Sequence, residues 1–255
     1  MSVRERIAGL FNLRRGELAP VLVAALFFFC ILTALMMLRP ARDALGMERG
    51  IESIRWLFIG TALVTLAVNP MFGWLVSRFK RLHFISATYG FFALSLVGFW
   101  ALLVFAPGAV GARSGQVFYV WFSVFNLFVT MVFWALLADR FSSEQGKRLF
   151  ALIAVGGTLG AIFGPWLASR LAEPLGTLVL LLFAAGFLLL GTGLAWVLVR
   201  IRRDRAPGDT TASPPVAEES QRIGGSAWAG LRAVFASRYL MGIAGYVLVM
   251  TIVAT

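Results

Sequence analysis

The polar residues of the fourth long apolar stretch recur at helical spacing. Tyr119, Ser123, Asn126, Thr130 and Trp134 follow one another at intervals of four, three, four and four residues, which places them on one face of a helix. Polar groups in lipid need partners, so we expect this face to look into a helix bundle or a water-filled cavity. Two interpretations stay open: hydrogen bonds that join neighbouring helices, or the lining of a solute path with Asn126 near mid-membrane.

Three charged residues, Arg39, Arg42 and Asp43, stand where the first apolar stretch ends. Arginine binds carboxylate or phosphate through two N–H groups at once, so Arg39 and Arg42 are candidates for contact with an anionic solute. The alternative is that each arginine lies along the membrane and extends its charge to the interface.

A second set of charges lies in the loops after the second and fourth stretches. Ser142 and Gln145 fit a capping box that opens the fifth helix, and Glu144 is spaced to pair with Lys147 or Arg148. The set is either the solvated start of a helix or a cytoplasmic gate of exchangeable charge pairs. The gate candidates are Gly73, Ser77, Arg78, Lys80, Arg81, Asp139, Arg140, Glu144, Lys147 and Arg148.

The fifth stretch carries glycines at four-residue spacing and a proline. Small residues at this spacing let two helix backbones approach closely, and the proline is expected to kink the outer end. A phosphate-binding loop is the alternative, but no Gly-Lys-Ser/Thr follows and the segment lies inside an apolar run. The packing candidates are Gly156, Gly157, Gly160, Gly164 and Pro165.

The elements that must position these residues are membrane spans. The chain is 60% hydrophobic and 14% charged, whereas a soluble domain has roughly 45 to 50% and about 25%. Six stretches of 21 to 24 residues contain no Asp, Glu, Lys or Arg, and about 20 residues suffice to cross the hydrocarbon as a helix. They are Leu18–Leu38, Trp56–Ser77, Phe84–Ala106, Val117–Ala138, Leu149–Ser169 and Gly176–Val199.

The distribution of charge predicts orientation and domains. Most of the 23 Lys and Arg residues precede the first stretch or follow the second, fourth and sixth, so we expect a cytoplasmic N-terminus in the inner membrane. The predicted parts are a cytoplasmic N-terminus (1–17), a six-helix bundle (18–199), a cytoplasmic linker (200–238) and the start of a seventh span (239–255). This outline is expected for the N-terminal half of a transporter with six plus six helices.

Several function classes are disfavoured by the composition. One Cys and one His cannot build a Cys/His metal site, so we expect no metal and no cofactor. No Ser/His/Asp set can be assembled for an enzyme. Because the basic residues follow the positive-inside pattern and can contact anionic lipid headgroups, we expect no nucleic-acid partner. A scaffold or sensor that uses the linker to bind a partner stays open as the alternative to transport.

Two groups of motifs resemble known transporters. The run from Gly73 through Ser77 and Arg78 to Lys80 and Arg81 resembles the loop signature of the major facilitator superfamily, although Ser77 stands where aspartate is usual and Lys80 where glycine is usual. Gly156 to Pro165 is similar to the glycine-rich, proline-ended fifth helix of that superfamily. The resemblance implies an all-α membrane protein: six transmembrane helices and the start of a seventh in a major-facilitator-type bundle.

A more local resemblance covers about 40 residues. It involves Phe125–Val129, Phe133–Asp139, Ser143–Phe150 and Gly156–Gly160, together with Leu38–Asp43. These segments look like the ATP/ADP translocase (nucleotide exchange carrier) branch and its bacterial relatives. The branch places a basic and acidic pair near the end of its first helix, to which Arg42 and Asp43 correspond, although the branch often has Lys at the position of Arg42. The resemblance implies exchange of a small organic anion, nucleotide-like, across the bilayer.

Overall fold

The structure is a computed structural model that describes residues 16–47, 57, 59–68, 81–105, 107–201 and 235–253. No strand occurs in these ranges, and five of their helices are long and apolar enough to cross a membrane. The all-α membrane architecture expected from the sequence is therefore confirmed. The helices are α1 (Leu18–Met47), α2 (Ile59–Val68), α3 (Arg81–Phe105), α4 (Pro107–Arg140), α5 (Ser143–Leu175), α6 (Val179–Arg200) and α7 (Arg238–Val253).

Three helices extend far beyond the apolar stretches that predicted them. α1 continues beyond Leu38 through Pro40, so the charged residues expected after the first span lie on the helix itself. α4 begins at Pro107, and α5 extends in both directions and runs through Pro165 without a break in its helical assignment. The extension has a simple cause: a helix satisfies its own backbone hydrogen bonds in any solvent, whereas the apolar criterion stops at the first charge.

Some predicted elements fall wholly or partly outside the described residues. Of the second stretch, Trp56–Ser77, only residue 57 and α2 are described. The N-terminal segment is described from Gly16 onward, and residues 202–234 of the predicted linker lie outside. The predicted domain limits therefore stay predictions.

The described helices belong to two compact units. The first comprises Met1–Thr65 and Arg81–Ala212, and the second comprises Leu66–Lys80 and Ser213–Thr255. In the first unit, α1 packs against α4, α5 and α6, and α3 packs against α4 and α6. In the second unit, α7 begins after Ser237, whose hydroxyl accepts the backbone N–H of Leu240 at 3.4 Å.

Side-chain contacts set the directions of the helices in the first unit. Glu17, just before α1, pairs with Arg148 near the start of α5, so these two helices run parallel. Arg42, near the end of α1, contacts Tyr119 in the first half of α4, so α1 and α4 run antiparallel. We call the two ends of this bundle the Glu17 end and the Arg42 end.

Aromatic side chains fill the centre of the bundle. Phe27 of α1 meets the rings of Tyr89 and Phe133 edge-on, at centroid distances of 5.7 and 5.2 Å. The buried Tyr89 hydroxyl donates to the carbonyl of Val129 at 3.0 Å, which joins α3 to α4. Apolar rings and one satisfied hydroxyl are what a lipid-embedded core requires, because a polar group without a partner is costly there.

Candidate functional site

The Arg42 end brings together three of the sequence-predicted site residues. The Arg42 guanidinium lies over the ring of Tyr119, 4.9 Å from its centroid, and 5.3 Å from that of Phe122. Its Nε and Nη2 both donate to Oδ1 of Asp43, at 2.8 and 2.6 Å. A cation over an aromatic face is stabilised by the ring quadrupole. The contact therefore holds the Arg42 charge at the seam between α1 and α4.

Arg39 is not part of this cluster. Its side chain is exposed one turn before Arg42 on α1. Cations at a helix end that lies near the membrane interface commonly extend toward water. The two arginines that the sequence treats alike therefore differ: one is held against α4 and the other is free to reach water or a solute.

The polar face of α4 is exposed on the surface of the bundle around Asn126, the middle residue of the face. Asn126 is exposed, and Thr130 is half-buried. The Ser123 hydroxyl donates to the Tyr119 carbonyl of its own helix at 3.4 Å. In the described part of the chain, none of these three polar side chains hydrogen-bonds to another helix. Hydrogen bonds from this face to a neighbouring helix and the lining of a solute path therefore both stay predictions.

Trp134, the last member of that face, has a packing role in the structure. Its ring contacts Phe28 of α1 at 5.5 Å and Phe150 of α5 at 5.7 Å, both edge-on. Aromatic pairs at these separations each contribute about 0.5 to 1.5 kcal/mol beyond their burial. Trp134 therefore joins three helices on the Glu17 side of the polar face.

The Glu17 end contains a hydrogen-bonded cluster that the sequence analysis did not identify. Glu17 is buried, with 6% of its side chain exposed, and its carboxylate accepts Arg148 Nη2 at 3.0 Å. Gln145 Nε2 donates to the same carboxylate at 3.2 Å. Gln145 and Ser142 form the predicted capping box. The only sequence signal was an acidic residue directly before an apolar stretch, and its partners lie about 130 positions away.

The predicted pairing of Glu144 with Lys147 or Arg148 is not formed. Arg148 instead bonds to Glu17, whereas Glu144 and Lys147 are exposed and form no ion pair within the described residues. The cause is burial: the Glu17 carboxylate is removed from water and so needs a cation, while the exposed Glu144 is solvated.

Arg140 is the last residue of α4, and its guanidinium lies at the C-terminal end of α6. Its Nε donates to the Leu198 carbonyl at 3.1 Å and its Nη2 to the Ile201 carbonyl. The last carbonyls of a helix have no partner within the helix and carry partial negative charge. Arg140 thus caps α6 from the end of α4, next to the half-buried Asp139.

The remaining gate candidates cannot be placed. Gly73, Ser77, Arg78 and Lys80 lie outside the described residues, and Arg81 opens α3 but its side chain is not described.

The glycines of α5 lie against the backbone of α1. A Cβ on Gly164 would stand 2.7 Å from the Thr33 carbonyl oxygen, and one on Gly156 would stand 2.6 Å from the Ala25 carbonyl carbon. Gly160 faces Phe29 in the same way, and its carbonyl accepts the Thr33 hydroxyl at 3.4 Å. The close backbone approach that the glycine spacing predicts is present, and it leaves no room for a phosphate loop.

No group of three or more His, Cys, Asp or Glu residues that could hold a metal occurs within the described ranges.

Comparison with known proteins identifies the family. No curated protein and no solved structure gives a match. The sequence model of one protein family, the Major Facilitator Superfamily, matches residues 21–255. The chain therefore belongs to the Major Facilitator Superfamily, whose members are membrane transporters.

Proposed function

We propose that this protein exchanges a small organic anion across the inner membrane by alternating access, with its N-terminus in the cytoplasm. Nucleotides are the first candidates, because the local motifs resemble those of the ATP/ADP translocase branch. In this mechanism the bundle rocks against a second helical bundle around a site between them. Membership of the superfamily supports transport of a small solute in general.

The single observation that carries the anion assignment is the position of Arg42. A guanidinium held over Tyr119 and Phe122 is a preorganised cation, with 25% of its side chain exposed. Carboxylate and phosphate groups match its planar array of donors. Preorganisation matters because a side chain that is already ordered loses less entropy when a ligand binds.

The α4 surface beside this cation suits the rest of a polar solute. Asn126 is exposed, and its amide can both donate and accept hydrogen bonds. A polar surface in the membrane is costly unless water or a solute meets it, so we place the solute path along the face that runs from Tyr119 through Asn126 to Thr130.

The coupling assignment follows from the acidic residues. None of the six apolar stretches contains Asp or Glu, so this part of the protein offers no carboxylate in mid-membrane for proton coupling. Exchange of one anion for another needs no such group, because each step transfers a charged solute of the same class.

The test is flux in proteoliposomes made with the full-length protein. We expect uptake of labelled ADP, or of another organic anion in a panel, to be driven by the same anion inside. Arg42→Ala should lower the rate by about 10- to 100-fold, since hydrogen bonds to a charged group contribute about 1.5 to 3 kcal/mol.

The matched control is Arg170→Ala. Arg170 also lies toward the Arg42 end and its guanidinium lies 6.0 Å from the ring centroid of Trp166, but it is exposed on α5. Equal losses in the two variants would contradict an anion site at Arg42. No flux of any anion would refute the exchanger and leave the scaffold or sensor as the better description.

A further inference from the structure

The two members of the Arg42–Asp43 pair are held very differently. Arg42 is fixed by the rings of Tyr119 and Phe122, which belong to another helix. The Asp43 side chain is 46% exposed, against 25% for Arg42, and both recorded hydrogen bonds of its carboxylate come from Arg42. Asp43 can therefore release Arg42 without breaking a hydrogen bond to another of the described helices.

The pairing is also incomplete. Arg42 Nε and Nη2, which point along one edge of the guanidinium, both donate to the same oxygen, Oδ1. The strongest arrangement of arginine with a carboxylate or phosphate uses two oxygens, one for each donor. A free anion with two oxygens can adopt that arrangement. The Asp43 carboxylate, on the adjacent residue of the same helix, accepts both hydrogen bonds through a single oxygen.

We propose that Asp43 is a resident counter-anion that selects the solute at Arg42. It occupies the guanidinium when the site is empty, and a carboxylate or phosphate group of the solute must replace it. An anion that cannot accept hydrogen bonds from both donors through separate atoms, such as chloride, binds Arg42 too weakly to displace Asp43 and is therefore excluded. This inference rests on the proposed anion exchange and adds the residue that sets its selectivity.

The direct test is anion binding by the purified full-length protein, with ADP and inorganic phosphate as probes. Asp43→Asn keeps the shape of the side chain and removes its charge. We expect the Kd for the probe to fall by about twofold to fivefold, because a partly exposed ion pair contributes up to about 1 kcal/mol and a tenfold change corresponds to about 1.4 kcal/mol. We also expect chloride to compete with the probe in this variant and not in the wild type.

The matched control is Glu173→Gln. Glu173 is an exposed carboxylate on α5 toward the same end of the bundle, and it is not part of the Arg42 cluster. Its loss changes the net charge by the same amount. A Kd that falls equally in both variants would show a general field effect and overturn the role of Asp43, while leaving the anion site at Arg42 intact.

A double-mutant cycle separates this role from a structural one. If Asp43 acts through Arg42, Asp43→Asn should not change probe binding once Arg42 is Ala. The same effect in both backgrounds would overturn the inference. Probe binding that appears only after Asp43→Asn would support it, since the carboxylate then blocks the site in the wild type. If neither ADP nor inorganic phosphate binds any variant, the inference is refuted, whereas the anion exchanger is refuted only if the flux panel also shows no transport.

Discussion

The contact between α1 and α5 can be tested by adding a single methyl group. In Gly156→Ala the new Cβ would meet the Ala25 carbonyl group and stand 2.9 Å from the Ala25 Cα. Non-bonded carbon atoms prefer separations of about 3.5 to 4.0 Å, so the two backbones must separate by about 1 Å. Both sides are helix backbone, so no rotamer change can relieve the overlap.

The size of the effect follows from two opposing contributions. Overpacking a close interface costs about 1 to 3 kcal/mol. Ala is favoured over Gly within a helix by up to about 1 kcal/mol. The control Gly193→Ala in α6 has no heavy atom within 4 Å of its Cβ and so carries only the favourable contribution. The favourable contribution is common to both variants and cancels, so we expect their free energies of unfolding to differ by about 1 to 3 kcal/mol, with Gly156→Ala the less stable.

An intermediate case sharpens the test. At Gly157 the new Cβ would meet the Phe28 ring and the Leu32 side chain instead of backbone. Side chains can rotate away, so Gly157→Ala should destabilise less than Gly156→Ala. The measurement is reversible unfolding of each purified variant in mixed detergent micelles, followed by circular dichroism. Equal stability of all three variants would refute the close approach of α1 and α5.

Two further substitutions test polar contacts within the bundle by the same unfolding measurement. Glu17→Gln should lower the free energy of unfolding by about 1.5 to 3 kcal/mol, because it removes a charged partner of Arg148. The control Glu144→Gln, at an exposed residue, should change it by less than about 0.5 kcal/mol. Equal effects of the two substitutions would contradict the Glu17 cluster. Tyr89→Phe removes a buried interhelical hydrogen bond and should lower the free energy of unfolding by about 0.6 kcal/mol. The control Tyr246→Phe, at an exposed residue of α7, should leave it unchanged. If Tyr89→Phe also leaves it unchanged, the Tyr89 hydroxyl contributes no stability.

Local patterns predicted what depends on neighbours along the chain. The absence of charge over 21 or more residues indicated the membrane helices, and the Ser142 and Gln145 spacing predicted the capping box that the structure contains. The glycines of α5 predicted a close helix contact because glycine has no side chain and so lets the backbone of a second helix approach closely. What these patterns could not give was the partner helix, which is α1.

Contacts between distant residues were not predictable in this way. Glu17 and Arg148 are 131 positions apart, and Arg140 caps carbonyl groups 58 and 61 positions later. Neither contact leaves a periodic signal, because each uses one residue per helix. The charge cluster expected as a gate therefore divides in the structure: Arg140 and Arg148 contact other helices of the bundle, and Glu144 and Lys147 stay exposed.

The division of contacts along the bundle bears on where movement can occur. α1 is held to α5 by backbone contacts along several turns and by the Glu17 cluster at one end. At the Arg42 end, α1 meets α4 through side chains, with the Arg42 guanidinium over two rings. A solute that binds Arg42 therefore acts directly on a side-chain contact between α1 and α4. We expect adjustment of the seam between α1 and α4, with α1 and α5 moving as one piece.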